Sequence, residues 1–213
     1  CSRVLILGTS MKVAIVDYEM GNIKSIKSAL KYLNVEEIVL SNKFNDIKSA
    51  DKLILPGVGS FSKAMKNIKQ LNLDKILYQV VVKERKPILG ICLGMQLMGQ
   101  SSEEDGFSDG LKFIDSNVKK FNLKNLKVPH VGFNQVEFHK DYKLYKGLDN
   151  LSDFYFTHSY QMQSDQNINQ SLCEYGDKFI VSYEVENITG VQFHPELSQT
   201  NGLKLLENFI KNF

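Results

Sequence analysis

Cys92 stands in Gly90-Ile91-Cys92-Leu93-Gly94, where a short apolar run meets Met95-Gln96-Leu97-Met98. Glycines on both sides of a nucleophile permit a sharp strand-to-helix turn, the elbow that leaves a side chain exposed at the C-terminal edge of a sheet. A thiol at the start of a helix is also favoured as thiolate. A small buried cysteine in a strand–helix contact would give the same pentapeptide, so chemistry at Cys92 requires partners.

A cysteine nucleophile needs a base, and the chain has four histidines, His130, His139, His158 and His194. His194 lies in Gly190-Val191-Gln192-Phe193-His194-Pro195-Glu196, where an apolar run ends at a proline that cannot continue a strand ladder. In an extended chain residues two apart point the same way, so Glu196 is expected beside His194, fixing its tautomer while the other ring nitrogen faces the thiol. Cys92, His194 and Glu196 thus make a candidate triad. Its oxyanion donors are expected in the turn Leu55-Pro56-Gly57-Val58-Gly59, from Gly57 and Val58, with the backbone N–H of Leu93 as a further donor. A plain Pro-Gly turn would read alike.

Such a constellation needs a sheet with turns collected at one edge. Val13–Asp17, Ile38–Leu40, Leu53–Leu55 and Pro87–Ile91 are short apolar runs of the parallel-strand kind, alternating with helical patterns over Ile23–Leu33, Ser62–Gln70 and Leu73–Glu84. Asn22 is placed to cap the first helix. Beyond about Asp105 the pieces shorten: Leu111–Ile114, Asn134–His139, Phe154–Tyr160, Phe179–Glu184 and Gly190–Phe193 read as strands, and Leu203, Leu206, Phe209 and Ile210 define a closing helix. The expected fold is α/β, an open, mixed, mostly parallel doubly wound sheet with antiparallel additions and a flavodoxin-like core. One domain is expected over residues 11–213. Residues 1–10, before Met11, read as an engineering scar or other non-native leader, and Cys1 receives no role.

Composition narrows the partners. The 213 residues carry 26 basic and 24 acidic side chains, a formal charge of +2, so there is no electrostatic footprint for nucleic acid and no basic run for a membrane surface. No apolar run reaches the ~18 residues of a membrane span. Three cysteines without metal-like spacing argue against a disulfide framework, so a soluble chain in a reducing cytoplasm is expected, and no metal site.

Together the motifs resemble the class I, triad-type glutamine amidotransferases over nearly the whole chain from Met11. Six segments carry the resemblance: Asp17–Asn22, Leu55–Gly59, Gly90–Gln96, Pro129–Gly132, His158–Tyr160 and Gly190–Glu196. They are most similar to the branch that passes ammonia from L-glutamine to a separate (β/α)8-barrel cyclase subunit, in a heterodimer that forms imidazole glycerol phosphate and an aminoimidazole carboxamide ribotide for histidine synthesis. The resemblance implies that Cys92 attacks the side-chain amide, His194 moves the proton and Glu196 orients His194. It implies that Gly59, Gln96, Glu104, Ser159 and Tyr160 hold the substrate, that Pro129, His130, Phe133 and Leu197 face the cyclase, and that no cofactor takes part. Phe133 stands where the family usually has Trp, Leu197 where Lys is usual and Glu19 where Gly is usual. The two altered partner-facing positions keep open a paralogous subunit supplying ammonia to amidate a cell-surface sugar. A stand-alone cysteine hydrolase of similar fold would need the elbow but not the His158 and His194 segments together.

Overall fold

The structure, a computed structural model, describes residues 11–123 and 126–213; the leader reading of residues 1–10 and Cys1 lies outside them. Five strands form the parallel half of the central sheet: β1 (Lys12–Val16), β2 (Glu37–Ser41), β3 (Lys52–Leu55), β4 (Ile88–Ile91) and, from the far end of the chain, β13 (Ile188–Val191). Their spatial order is β2-β1-β3-β4-β13. All residues of β3, β4 and β13 are buried, as expected of strands covered on both faces.

The side-chain period of two sorts these strands between two cores. Ala14 and Val16 face the core packed by α2 (Phe44–Ser49), α3 (Phe61–Gln70), α4 (Leu73–Leu77) and α5 (Leu93–Leu97), whereas Val13 and Ile15 face the one packed by α1 (Ile23–Tyr32) and α6 (Gln199–Asn212). The doubly wound expectation is met. Beyond β13 the sheet turns antiparallel through β12 (Asp177–Val185), with β11 (Ser171–Tyr175) on its side, and β10 (Tyr160–Gln163). It ends in β7 (Asn117–Lys120) and the two-residue strands β5 (Ser101–Ser102) and β6 (Ser108–Asp109). A separate antiparallel ribbon, β8 (His130–Val136) with β9 (Ser152–His158), covers the α6 side.

Several expected elements differ. Leu111–Ile114 is not a strand: the N–H groups of Leu111, Phe113 and Ile114 donate to the carbonyls of Leu97 and Met98, which α5 leaves unpaired at its C-terminus. The helix read over Leu73–Glu84 is α4 followed by a π-helical stretch over Tyr78–Lys83. There the Asn187 amide donates to the carbonyls of Val81 and Lys86. The strand read over Phe154–Tyr160 breaks at Ser159 into β9 and β10. Asn22 occupies the N-cap of α1 but makes no side-chain cap hydrogen bond. The sequence pattern gave no sign of α2, β7 or β11. Among the described residues no helix is long and apolar enough to cross a membrane.

Candidate active site

Three adjacent parallel strands end at one edge. Leu55 pairs with Gly90 and Gly90 with Gly190, so the turn after β3, the elbow after β4 and the segment after β13 emerge side by side. This is the carboxyl edge at which open α/β sheets carry their sites.

Cys92 sits between β4 and α5 with φ +54 and ψ −111, a left-handed backbone that a non-glycine residue adopts at a cost of ~1–3 kcal/mol. The surroundings enforce it. A Cβ on Gly94 would overlap the carbonyl oxygen of Leu55, and one on Gly90 would lie 2.5 Å from Met98 Cε and 2.7 Å from the Gly94 carbonyl carbon. Both glycines are therefore required for α5 to lie directly on β3 and β4. All five residues of α5 are buried.

His194 Nδ1 is 2.9 Å from Glu196 Oε1, and both side chains are almost completely buried. The pairing was expected, but not for the reason given by an extended chain: Pro195–Leu197 is a 3₁₀ turn that folds Glu196 back onto the ring. Ser198 secures this turn, its hydroxyl donating to the His194 carbonyl at 2.6 Å and accepting from the Tyr155 N–H at 2.9 Å. Burial works against a charged imidazole here, but Cys92 and Glu196 outweigh it and raise the His194 pKa from 6.5 to about 10. His194 Nε2 is buried without a formed hydrogen bond. Catalytic bonds of this kind often close only once substrate is bound. The Cys92 sulfur instead accepts a long contact from Gln192 Nε2, at 3.7 Å.

Because the folded pKa of His194 lies above its unfolded value, the imidazolium contributes stability that is fully present below pH ~6.5 and is lost as pH rises toward 10. Glu196→Gln removes the anionic partner, so its stability deficit against wild type should be larger at pH 6 than at pH 9.5. Urea unfolding at the two values measures this; equal deficits would mean that Glu196 acts as a hydrogen-bond acceptor only.

The turn after β3 has one buried and one open half. Gly57 is packed so closely that a Cβ would come 2.5 Å from the Tyr18 hydroxyl and 2.8 Å from the Gly94 nitrogen, while Val58 is 41 % exposed and Gly59 has φ +100. Tyr18, which the sequence reading did not single out, is fully buried and donates its hydroxyl to the Pro56 carbonyl. Ser60 then caps α3 by accepting from the Lys63 N–H, and the Phe61 N–H donates to Glu104 Oε2 at 2.8 Å. Burial, only partly offset by that bond, raises the Glu104 pKa.

A cavity of about 440 Å³ opens beside the thiol. Cys92, Leu93, Val58, Gly59, Gln96, Glu104, Ser159 and Tyr160 all line it, so residues scattered over about a hundred positions meet in one place; Gly57 lies behind its wall. Gln192 was also missed. Its amide is completely buried, accepts from Gln96 Nε2 at 2.7 Å and faces the Cys92 sulfur; a polar residue between apolar Val191 and Phe193, just past the end of β13, was the available signal.

Partner-facing candidates divide. Phe133 is 50 % and Leu197 39 % exposed, and Pro129 is exposed. His130 is not on that surface: it is 2 % exposed, stacked at 4.0 Å on Tyr175 and at 4.8 Å on Phe156. Its place at the start of β8, with alternate residues turned inward, buries it. Glu19 has φ +68, a backbone that suits the glycine usual at that place. Cys173 is free, buried and pushed up to about 12 by burial, an inert thiol. No cluster of metal-ligating side chains occurs among the described residues.

The family model for Glutamine amidotransferase class-I matches residues 14–213, and the chain belongs to that family. It is 46 % identical over 200 residues to imidazole glycerol phosphate synthase subunit HisH 1 of Campylobacter jejuni, covering 93 % of this chain and 99 % of that one. Subunit HisH 2 of Vibrio vulnificus is 44 % identical, with 94 % of each chain covered. A solved glutamine amidotransferase superposes with a TM-score of 0.67 at 19 % identity, covering 92 % of this chain and 96 % of the other, which establishes likeness of fold.

Proposed function

We propose that residues 11–213 form one glutaminase domain that hydrolyses L-glutamine and delivers the ammonia to the cyclase subunit of imidazole glycerol phosphate synthase, in the cytoplasmic synthesis of histidine. The observation that carries this reading is the convergence of Cys92, the 2.9 Å His194–Glu196 pair and a 440 Å³ cavity at one sheet edge, in a chain 46 % identical to a HisH subunit.

The thiolate of Cys92 attacks the side-chain amide carbon of glutamine. The charge that develops on the amide oxygen is met by the N–H of Leu93 and by the Gly57–Val58 turn, where fixed donors are worth most. Protonated His194 gives its proton to the departing nitrogen, ammonia leaves and a glutamyl thioester remains on Cys92. Neutral His194 then takes a proton from water, whose oxygen displaces the sulfur and releases glutamate. Glu196 holds the ring throughout. Glu104 offers a carboxylate to the α-ammonium group, and Gly59, Gln96, Ser159 and Tyr160 shape the rest of the cavity. Phe133, Leu197 and Pro129 form the apolar surface offered to the cyclase.

Glutamate release, measured with and without the cyclase and its nucleotide ligand, tests this reading. Stimulation of at least about tenfold is expected, because the half-open Val58–Gly59 turn is completed as an oxyanion site only when the subunits meet. Fast hydrolysis by the chain alone would overturn that coupling. Phe133 and Leu197, both exposed and altered where the family usually has Trp and Lys, favour one second reading, a paralogous copy that feeds a sugar-amidating partner. Absence of stimulation, with Cys92 still alkylated by a glutamine-analogue inactivator, would select it.

A further inference from the structure

Two buried histidines outside the triad form a pair that ends at the cavity. His130 on β8 faces His158 on β9, with Nδ1 of the former 3.1 Å from Nε2 of the latter. Nδ1 of His158 is 2.8 Å from the Tyr160 carbonyl, and Asn134 Nδ2 approaches Nε2 of His130 at 3.5 Å. Burial lowers the pKa of His130 to about 4 and that of His158 to about 3, so both rings are neutral near pH 7.

Neutral rings in this arrangement allow one set of tautomers. A carbonyl oxygen only accepts, so His158 carries its proton on Nδ1 and its Nε2 must accept. His130 then donates from Nδ1, leaving its own Nε2 to accept from Asn134. On the other side the same Tyr160 carbonyl accepts from Gln96 Nε2 at 3.1 Å, and that nitrogen donates again to Gln192 Oε1 at 2.7 Å. Gln192 is thereby obliged to present its NH₂ group to the Cys92 sulfur. One backbone carbonyl in the cavity wall sets the direction of every bond from Asn134 to the nucleophile.

Packing alone does not account for the pair. Phenylalanine at 130 would keep the stacks on Tyr175 and Phe156, whereas an imidazole adds a polar group whose burial is costly unless it is bonded. We infer that His130, acting through His158, is a positioning residue for glutamine hydrolysis: its Nδ1–H bonds the otherwise unpaired Nε2 of His158 and so holds in place the ring whose Nδ1–H, together with the Gln96 amide, clamps the Tyr160 carbonyl in the wall of the substrate cavity. The inference rests on the glutaminase reading above.

In the wild-type chain, imidazole ¹⁵N shifts should report both histidines protonated at Nδ1 and bare at Nε2. His130→Phe keeps the stack and removes the donor; His130→Asn returns an amide donor near the Nδ1 position without the ring. The half-saturating concentration of a glutamine-analogue chloroketone for Cys92 should rise about tenfold in His130→Phe and return to within about threefold of wild type in His130→Asn. The limiting inactivation rate, and the rate with iodoacetamide, should stay within about twofold in both. Unchanged half-saturation in His130→Phe, no recovery in His130→Asn, or a wild-type His158 protonated at Nε2 would each overturn the inference. If His130→Phe does not fold, the wild-type tautomers and His130→Asn decide it. Failure of the glutaminase reading would be seen separately, as no glutamate release by the wild-type chain with the cyclase, and the tautomers would still be readable.

Discussion

Cys92→Ala should lower glutamine-dependent turnover by on the order of 10⁴- to 10⁶-fold while leaving ammonium-supported synthesis by the complex intact, because the variant lacks the atom that forms the thioester in the proposed mechanism and little else. The thiol is buried against Gln192 and the ribbon, and a methyl group leaves only a small gap, so unfolding should shift by less than ~1 kcal/mol. Alanine also inherits the strained φ of +54, unlike glycine. Cys92→Gly should therefore be equally inactive but more stable than Cys92→Ala by about 1 kcal/mol. Glutamate release, synthesis from ammonium salts and urea unfolding check the three statements. Loss of both glutamine- and ammonium-dependent synthesis in Cys92→Ala would defeat the division of labour between the subunits, and equal stability of the alanine and glycine variants would remove the case for a strained elbow.

Gly94→Ala is expected to damage both fold and activity. Its Cβ would overlap the Leu55 carbonyl oxygen and lie 2.7 Å from the Leu55 carbonyl carbon and 3.1 Å from the Pro56 oxygen. These are backbone atoms of β3 and of the turn that follows it, so no side-chain rotation relieves the clash, and α5 must lift from β3. We expect a loss of about 3 kcal/mol, which in a chain of this size lowers Tm by roughly 6–12 °C. Turnover should fall more than about 100-fold as Leu93 and Gly57 separate. Gly106→Ala is the matched control. Nothing lies within 4 Å of its Cβ, and only the φ of +95 opposes it, so the expected loss is about 1 kcal/mol. Thermal unfolding and glutamate release of the two variants make the comparison, and equal losses would show that the contact of α5 with β3 does not govern the site.

Much of the parallel half was legible because it is a local code. Apolar runs of three or four residues ending in Asp17, Pro56-Gly57 or Cys92 are too short for buried helices and are bounded by turn residues, which marks them as covered strands, and the helices between them show their apolar stripe at the helical period. The antiparallel half was less legible. β7 reads Asn117-Val118-Lys119-Lys120, with one buried residue in four, and its strand character comes from pairing with β10. Leu111–Ile114 is as apolar as a strand but spends its N–H groups on the end of α5, a demand that arises only after α5 has formed.

The sequence by itself determined the candidate nucleophile, its two glycines, the histidine with a carboxylate two residues on, and the Pro-Gly turn, since each is a requirement of backbone geometry or proton chemistry within a few residues. Tertiary structure decided which of these meet and how. Register of β4 against both β3 and β13 brings Cys92, Gly57 and His194 to one edge. A 3₁₀ turn, not an extended strand, folds Glu196 onto His194, and the Tyr175–Phe156 stack takes His130 off the surface. Tyr18 and Gln192 enter the site through bonds to residues 38 and 96 positions away. Contacts at such separations are set by packing of the whole sheet, and no short stretch of chain encodes them.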